Sequence, residues 1–317
     1  MDRHSVDWRG YIPALTTPFA ADGELDRDGW MRLVDWAVQE GMHGIVVAGS
    51  SGEWFTMEPA ERIQLFRLAR QQVDGRIPVI GCCNALRPVE SLAFAKAAED
   101  VGLDAVILAP PPYAVPNDDE IVAFYRWFSG EVTLPLCLYN WPRGTNVDMS
   151  PKLLARLAEV ETVVGVKNST GSLPGFLEAF FELKDRIRIF GFGTDELSIT
   201  LLRQHGGDGT IGGGAVLGRE HPAFFEAVWA GDLDAARHWG ARDKAFFDFS
   251  MHPDFSPKFA SAQAVMKAAL NLRGLPGGYP RPPYLPLTQE QHERVREFVA
   301  ELGLLAEPVP RDERRVP

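Results

Sequence analysis

The 317-residue chain is poor in cysteine: two of its three are neighbours, Cys82 and Cys83, and the third stands alone at Cys137. So few cannot form a disulfide framework, and no C-x-x-C pair occurs to suggest redox or metal chemistry. Side chains 82 and 83 would leave a strand on opposite faces, so all three cysteines read as small buried hydrophobes of a reducing compartment. The chain also lacks an uninterrupted apolar run long enough to cross a bilayer, and its first residues, MDRHSVDWRG, carry no apolar signal core. A cytoplasmic protein that does not enter membranes is the expectation. Basic residues are in deficit, with 32 Lys and Arg against 43 Asp and Glu for a net charge of -11. That balance counts against nucleic acid and anionic lipid as partners. A small anionic substrate stays open, since one local cation outweighs a remote average. Nor are the seven histidines paired for metal. His4, His43, His205, His221, His238, His252 and His292 show no i, i+2 or i, i+4 spacing, and none lies at a strand end, so no metal site is expected. Segment 206–214 is as glycine-rich as a phosphate cradle but lacks the G-K-[ST] that completes one.

What is present is rhythm. Short apolar runs at residues 12–15, 44–48, 78–82, 105–109, 135–139, 163–167, 188–192 and 209–212 read as strands. They stand roughly 25–35 residues apart, room for one crossover helix each. Rich in Val, Ile and Gly and with little alternation, they read as strands covered on both faces. Helical periodicity fills the gaps at 28–40, 58–73, 90–101, 118–128, 150–159, 173–183 and 196–205. The first of these repeats Trp30, Leu33, Val34, Ala37 and Val38 on one stripe, and the second opens with Pro59 in its first turn. The alternation predicts an α/β fold, a closed parallel (β/α)8 TIM barrel, and a barrel of ~250 residues is commonly one domain. After the last strand, 221–230, 233–249, 258–272 and 288–302 all read as helices with no strand between them. The expected organisation is a barrel over 10–220, a helical C-terminal extension over 221–305, and loose polar tails at 1–9 and 306–317.

Barrels of this architecture carry their active sites at the C-terminal ends of the strands. The polar groups falling there are Thr16 and Thr17, the 49–53 turn, Asn84, Tyr113, Tyr139 and Asn140, Lys167 and Asn168, and Asp195 and Glu196. Lys167 is the sharpest. The other lysines, Lys96, Lys152, Lys184, Lys244, Lys258 and Lys267, occupy helix-like or helix-end contexts where a solvated ammonium is expected. Lys167 instead ends the apolar run Val163-Val164-Gly165-Val166. Period-two alternation puts Val163, Gly165 and Lys167 on one face. If that face is the barrel interior, the glycine leaves room for a long side chain. Desolvation there would lower the pKa and expose a neutral amine able to attack a carbonyl. The alternative is a strand-end lysine that snorkels to water or pairs with a carboxylate. Tyr139 ends the preceding strand and is either a proton shuttle or a rim aromatic whose hydroxyl finds water. Ser50-Ser51-Gly52 is either a carboxylate-holding turn or an ordinary cap for the next helix. Tyr113 follows the stiff Pro110-Pro111-Pro112 run, which could fix its direction.

Taken together, these segments closely resemble the dihydrodipicolinate synthase / N-acetylneuraminate lyase family of class I aldolases and dehydratases. The likeness spans nearly the whole chain, from Gly10-Tyr11-Ile12-Pro13-Ala14-Leu15-Thr16-Thr17-Pro18-Phe19 to Arg281-Pro282-Pro283-Tyr284-Leu285-Pro286-Leu287. Gly49-Ser50-Ser51-Gly52-Glu53 is similar to the family's G-[ST]-[ST]-G-E turn, and Tyr139-Asn140-Trp141-Pro142 to its Y-N-x-P segment. Gly165-Val166-Lys167-Asn168-Ser169-Thr170 is similar to the strand that carries the Schiff-base lysine. The resemblance implies Lys167 as nucleophile and Tyr139 as general acid/base, with a proton relay through Ser50 to Tyr113. It implies Ser50 and Ser51, in the turn opened by Gly49, as holders of a pyruvate-type carboxylate, and the Ile211 carbonyl as a substrate contact. In relatives the tyrosine matching Tyr113 often reaches across a tight dimer, which implies a homo-oligomer built as a dimer of dimers. No cofactor is implied, because the chemistry rests on a covalent imine.

The departures from the family pattern bear on the substrate. Dihydrodipicolinate synthases typically place an arginine two residues after Y-N-x-P to hold the aldehyde substrate's carboxylate. Gly144 stands there in this chain, with Arg143 one residue early, a shift that could re-aim its guanidinium at the substrate. Gly193-Thr194-Asp195-Glu196 is more like the G-x-D-E of the sugar-acid branches, where Asp195 and Gly193 would line the substrate, although Asp195 and Glu196 could equally be first-turn helix carboxylates. Trp54, Phe55 and Trp141 would make the pocket mouth aromatic. The expected activity is a Schiff-base lyase, aldolase or dehydratase, acting on a 2-keto acid such as a 2-keto-3-deoxy sugar acid or a pyruvate-derived aldol. The alternative is a 4-hydroxy-tetrahydrodipicolinate synthase that condenses pyruvate with aspartate semialdehyde.

Overall fold

The computed structural model describes residues 1–306; the expected C-terminal tail lies, from residue 307 on, outside them. Eight parallel strands close into a barrel in chain order, the last pairing back onto the first. They are Gly10–Ala14 (β1), Ile45–Val47 (β2), Val79–Cys82 (β3), Ala105–Leu108 (β4), Leu136–Asn140 (β5), Val163–Asn168 (β6), Arg188–Phe190 (β7) and Gly209–Gly213 (β8). Helices Arg27–Gln39 (α1), Pro59–Val73 (α2), Pro88–Val101 (α3), Asp118–Ser129 (α4), Pro142–Thr145 (α5), Pro151–Leu157 (α6), Leu173–Leu183 (α7), Glu196–Gln204 (α8) and Glu220–Ala230 (α9) follow the strands. Leu233–Ser250 (α10), Ala262–Leu272 (α11) and Gln289–Glu301 (α12) form the C-terminal helices. The fold is the expected (β/α)8 barrel. No helix among the described residues is long and apolar enough to cross a membrane.

The strands are apolar on both faces because each face meets a different core. Toward the axis, Ile12, Val46, Ile80, Ile107, Val164, Phe190 and Ile211 fill the barrel. Toward the helices, Ile45, Val47, Val106, Leu108, Leu136 and Leu138 pack with Trp30, Phe66, Phe128 and Phe180. Cys82 joins the inner cluster and Cys83 the outer, on the opposite faces their adjacency predicted, and both are free thiols.

Local chemistry sets the element ends. Asp26, Ser150, Ser172, Ser261 and Thr288 each accept a first-turn backbone N–H, a cap worth about 1 kcal/mol. The Ser261 cap explains why α11 starts at Ala262 when periodicity put its start at 258. Helix α5 was invisible to periodicity because it spans only 4 residues, opening on Pro142 and stopping where Asn146 turns left-handed at φ 58°.

Residues 1–9, expected as a loose tail, instead plug the barrel at the end where the strands begin. Trp8 is buried and, with Val6, packs on the inner cluster. Arg3 pairs with Asp208 at 3.1 Å, while Arg188 donates to the carbonyls of Arg3 at 2.8 Å and Val6 at 2.7 Å. At the opposite end, α11 folds back over β8. A Cβ on Gly214 would meet the Met266 sulfur at 2.8 Å, so the backbone there passes directly under the helix.

Candidate active site

The first group to place is Lys167. Between β5 and β6 the register slips, Leu136 facing Val163 but Cys137 facing Gly165. This bulge overturns the simple alternation. Val163 and Val166 both pack outward among the helices, whereas Val164 packs inward. Gly165 makes room for its neighbour strand rather than for the lysine, since a Cβ there would sit 3.1 Å from the Arg188 carbonyl. Lys167 emerges on the inside, beside Tyr139, its register partner across the ladder. The Nζ lies 4.5 Å from the centre of the Tyr139 ring. Among β6 residues only Lys167 keeps partial solvent access.

Burial draws the Lys167 pKa down to about 8, with the Cys82 and Cys137 thiols pulling weakly the other way. No carboxylate is among its partners. A minority of the amine is therefore neutral at pH 7, and the charged form has little to hold it. Burial pushes the Tyr139 phenol up, opposed by a hydrogen bond with the Ser50 side chain. Tyr139 is thus a neutral hydroxyl at neutral pH, able to pass a proton on but not to store a negative charge.

A polar lock behind the pair fixes the two strand ends. The Asn140 side-chain amide donates to Asn168 Oδ1 at 2.9 Å and to Asp148 at 2.8 Å, and its oxygen accepts from the Met149 N–H at 3.0 Å. Thr170 closes the far side on Asp148 at 2.8 Å. With Asn140 and Asn168 held, the preceding residues Tyr139 and Lys167 cannot slide past one another.

The 49–53 turn follows β2. It is bracketed by two non-glycine residues in left-handed conformation, Ala48 at φ 53° and Glu53 at φ 60°, each costing about 1–3 kcal/mol that surrounding contacts must offset. Gly52 is required by space: a Cβ would lie 2.9 Å from the Leu15 carbonyl and 3.2 Å from the Thr17 hydroxyl. Ser51 faces the end of β8, its hydroxyl 3.5 Å from where a Gly213 Cβ would stand. The turn is gripped from above by α11. Gln263 donates to the Ser50 carbonyl at 3.1 Å. Lys267 forms an ion pair with Glu53, both only 1% exposed, and donates to the Tyr279 carbonyl at 2.7 Å. The Arg281 N–H reaches Glu53 at 3.0 Å. Sequence reasoning placed Lys267 among the solvated lysines and passed over Gln263. The available signal was a lone lysine inside an otherwise apolar helix stretch, Ala264-Val265-Met266-Lys267-Ala268-Ala269-Leu270, where solvation is impossible.

The remaining expected residues divide. Ile211 lies in the inner cluster facing β1. Tyr113 does not join Tyr139 and Ser50 within the chain: it is 93% exposed, with a left-handed φ of 83°. Asp195 is the N-cap of α8, accepting the Ser198 N–H at 2.9 Å, and Glu196 is paired with Arg237 at 2.5 Å. Both carboxylates are thus engaged as helix-start groups, and Gly193 beside them is exposed. Arg143 is exposed; the Asp254 carboxyl near it is lowered chiefly by hydrogen bonds from Ser256, with Arg143 adding a lesser pull. Trp54 and Phe55 turn away, Trp54 toward Arg62 and Phe55 toward Tyr284. Only Trp141 of the three expected aromatics reaches the site. It packs on the inner cluster and stacks on Tyr139 at 5.9 Å and 22°. Its partner is one that sequence did not suggest: Phe255, from the α10–α11 loop, meets it edge-on at 5.7 Å.

Comparison with known proteins places nearly the whole chain in a family. The model of the dihydrodipicolinate synthetase family matches residues 7–302. The chain is 33% identical to a 4-hydroxy-tetrahydrodipicolinate synthase of Teredinibacter turnerae, over 94% of this chain and 100% of that one. It is 31% identical to an uncharacterized DapA-like lyase of Rhizobium meliloti, over 95% and 98% of the two chains. Among solved structures, the dihydrodipicolinate synthase of Acinetobacter baumannii complexed with pyruvate superposes with a TM-score of 0.84 at 28% identity, covering 94% of this chain and 100% of that one. YagE, a prophage protein of the same family from Escherichia coli K12 in complex with pyruvate, gives 0.84 at 26% identity, with 94% and 100% covered. With a barrel of this topology and a family match across nearly its whole length, the chain belongs to the dihydrodipicolinate synthetase family of class I lyases.

Proposed function

We propose that Lys167 attacks the ketone of a 2-keto acid and that the resulting imine serves as the electron sink for making or breaking a bond at the neighbouring carbon. The observation that carries this is the Lys167–Tyr139 pair: an amine with a pKa of about 8, 4.5 Å from a tyrosine ring, at the C-terminal mouth of the barrel. Attack needs the neutral amine, and burial without a carboxylate partner supplies it. Tyr139, hydrogen-bonded to Ser50, moves protons between the carbinolamine and the substrate. Ser50 and Ser51, with the backbone of their turn, hold the substrate carboxylate, and the Ile211 carbonyl borders it. The covalent imine replaces a cofactor.

The exposed Tyr113 supports a homo-oligomer in which it completes the relay of a neighbouring subunit, within a dimer of dimers. The substrate is a pyruvate-derived aldol or a 2-keto-3-deoxy acid. A second reading, synthesis of 4-hydroxy-tetrahydrodipicolinate from pyruvate and aspartate semialdehyde, is favoured by the names of the curated relatives. Against it, Gly144 stands where that reaction's arginine is expected. Borohydride reduction in the presence of pyruvate, followed by peptide mass spectrometry, tests the mechanism. An adduct on Lys167 is expected; no adduct, or one on another lysine, overturns it. Robust turnover of pyruvate with aspartate semialdehyde would make the second reading the correct one.

A further inference from the structure

We propose that the non-pyruvyl half of the substrate is a flat apolar group, an aryl aldehyde or its aldol with pyruvate, and that Trp141 and Phe255 select it. The inference rests on the imine reading of Lys167 and names the partner that reading leaves open.

The first observation is what the mouth beyond Tyr139 offers. Trp141 extends the Tyr139 ring as a stacked plane, Phe255 stands edge-on to it at 5.7 Å, and Phe247 supports Phe255 at 5.6 Å. Trp141, Phe255 and Phe247 are each half-buried, so part of this aromatic cluster remains open. Phe255 is held there against its own backbone preference. It has φ 61°, within a turn pinned by the Phe255 N–H on the His252 carbonyl at 2.9 Å and the His252 N–H on the Ser256 carbonyl at 2.8 Å. A bulky residue in that conformation is uncommon and persists where its surroundings fix it.

The second observation is what the mouth does not offer. The indole of Trp141 lies on Gly144, where a Cβ would fall 2.3 Å from its Cδ1. No side chain can project from position 144 without displacing the tryptophan. Arg143 is exposed, with the Asp254 carboxylate near enough to feel its charge. Asp195 and Glu196, the groups that could bind a polyol, are engaged by the Ser198 N–H and by Arg237. A carboxylated or polyhydroxylated aldehyde finds few free partners, whereas a ring finds a stacking plane and an edge. Such contacts add to burial in holding an aromatic group.

The chemistry balances without another reactant. The Lys167 amine condenses with the C2 ketone of a 4-hydroxy-4-aryl-2-oxobutanoate and releases water. The C3–C4 bond breaks, its electron pair moves into the iminium, and the C4 hydroxyl proton leaves through the Tyr139 hydroxyl as the aryl aldehyde departs. Protonation at C3 and addition of one water return pyruvate and the free amine.

The test is cleavage of three pyruvate aldols, those of benzaldehyde, glyceraldehyde and aspartate semialdehyde, by the full-length enzyme, with borohydride trapping of pyruvate alongside. The benzaldehyde aldol is expected to show the highest kcat/KM, by about tenfold. If Lys167 is trapped but either other aldol is preferred, the aryl proposal fails and the imine reading stands; if Lys167 is not trapped, the imine reading fails first. Phe255→Ala should lower kcat/KM for the benzaldehyde aldol about tenfold, chiefly through KM, while changing the glyceraldehyde aldol no more than about twofold. An equal fall for both aldols would mean that Phe255 only holds its loop, and would overturn its part in selection.

Discussion

Two lysines in this protein have their pKa drawn down to about 8 by burial. Their neighbours make them different. Lys267 meets the Glu53 carboxylate and the Tyr279 carbonyl, and lies 4.6 Å from the centre of the Phe19 ring. Lys167 meets two thiols and a tyrosine ring, and no anion. A paired ammonium is a fastener, since its charge is used in place. An unpaired one suits the nucleophile proposed for Lys167, since it gives up its proton with little to lose. Depressed basicity alone therefore does not mark a nucleophile; the absence of a compensating carboxylate does.

The comparison can be broken most sharply at Lys167 itself. Lys167→Met should abolish borohydride trapping and lower turnover to background. The fold should be no less stable near pH 7, because the substitution removes an amine that must be desolvated, and a denaturant titration checks this half. Tyr139→Phe should come next, lowering kcat by about 10²–10⁴ while the trapped adduct still forms slowly; steady-state rates beside a trapping time course separate the two effects. Lys267→Met attacks the other lysine and should behave in the opposite manner. It leaves Glu53 buried without its cation, a loss of about 3–5 kcal/mol, read as a fall in denaturation midpoint. Adding Glu53→Gln should recover part of it.

A smaller effect is set by pH. The folded pKa of Lys167 lies near 8, below the ordinary lysine value of 10.5. Single-turnover imine formation should therefore rise about tenfold per unit below pH 8 and level off above it. The sign for stability follows from the same numbers. Between about pH 8 and 10.5 the unfolded lysine binds more protons than the folded one, so its contribution to stability grows with pH there and is flat below. A trapping rate that does not depend on pH between 6 and 8 would remove Lys167 from the reactive side of the comparison. The smallest change is expected for Gln263→Ala, a few-fold rise in KM for pyruvate with kcat nearly unchanged, since only one hydrogen bond to the Ser50 carbonyl is lost.

How much of this was legible in the sequence depends on how far apart the interacting residues lie along the chain. The barrel was legible because its signal is repeated and local: a buried strand, a turn, an amphipathic helix. The roles of Lys167 and Tyr139 were suggested by their places at strand ends. The grouping of Val163, Gly165 and Lys167 on one face did not hold, however, because alternation assumes a regular strand and the bulge opposite Leu136 and Cys137 is set by pairing. The contacts of Gln263 and Lys267 with the 49–53 turn cross more than two hundred residues and leave no periodic trace. Phe255 is similar, a loop aromatic whose position depends on where α10 delivers it. Asp195 was legible in both of its readings, and the structure shows the capping one. Trp54 and Phe55 looked equivalent to Trp141 in composition, but only Trp141 stands two residues beyond Tyr139, which packs inside the barrel, and packs on the same inner cluster.

The grip of α11 on the 49–53 turn has a consequence for the order in which the protein becomes competent. A chain emerging from the ribosome releases all eight strands by Gly213, yet Gln263, Lys267 and Arg281 are still to come. Until they arrive, the turn has two left-handed residues and an uncompensated Glu53 to keep in place on its own. The barrel can close early, but the mouth it closes around is finished late, by some of the most distant contacts in the fold.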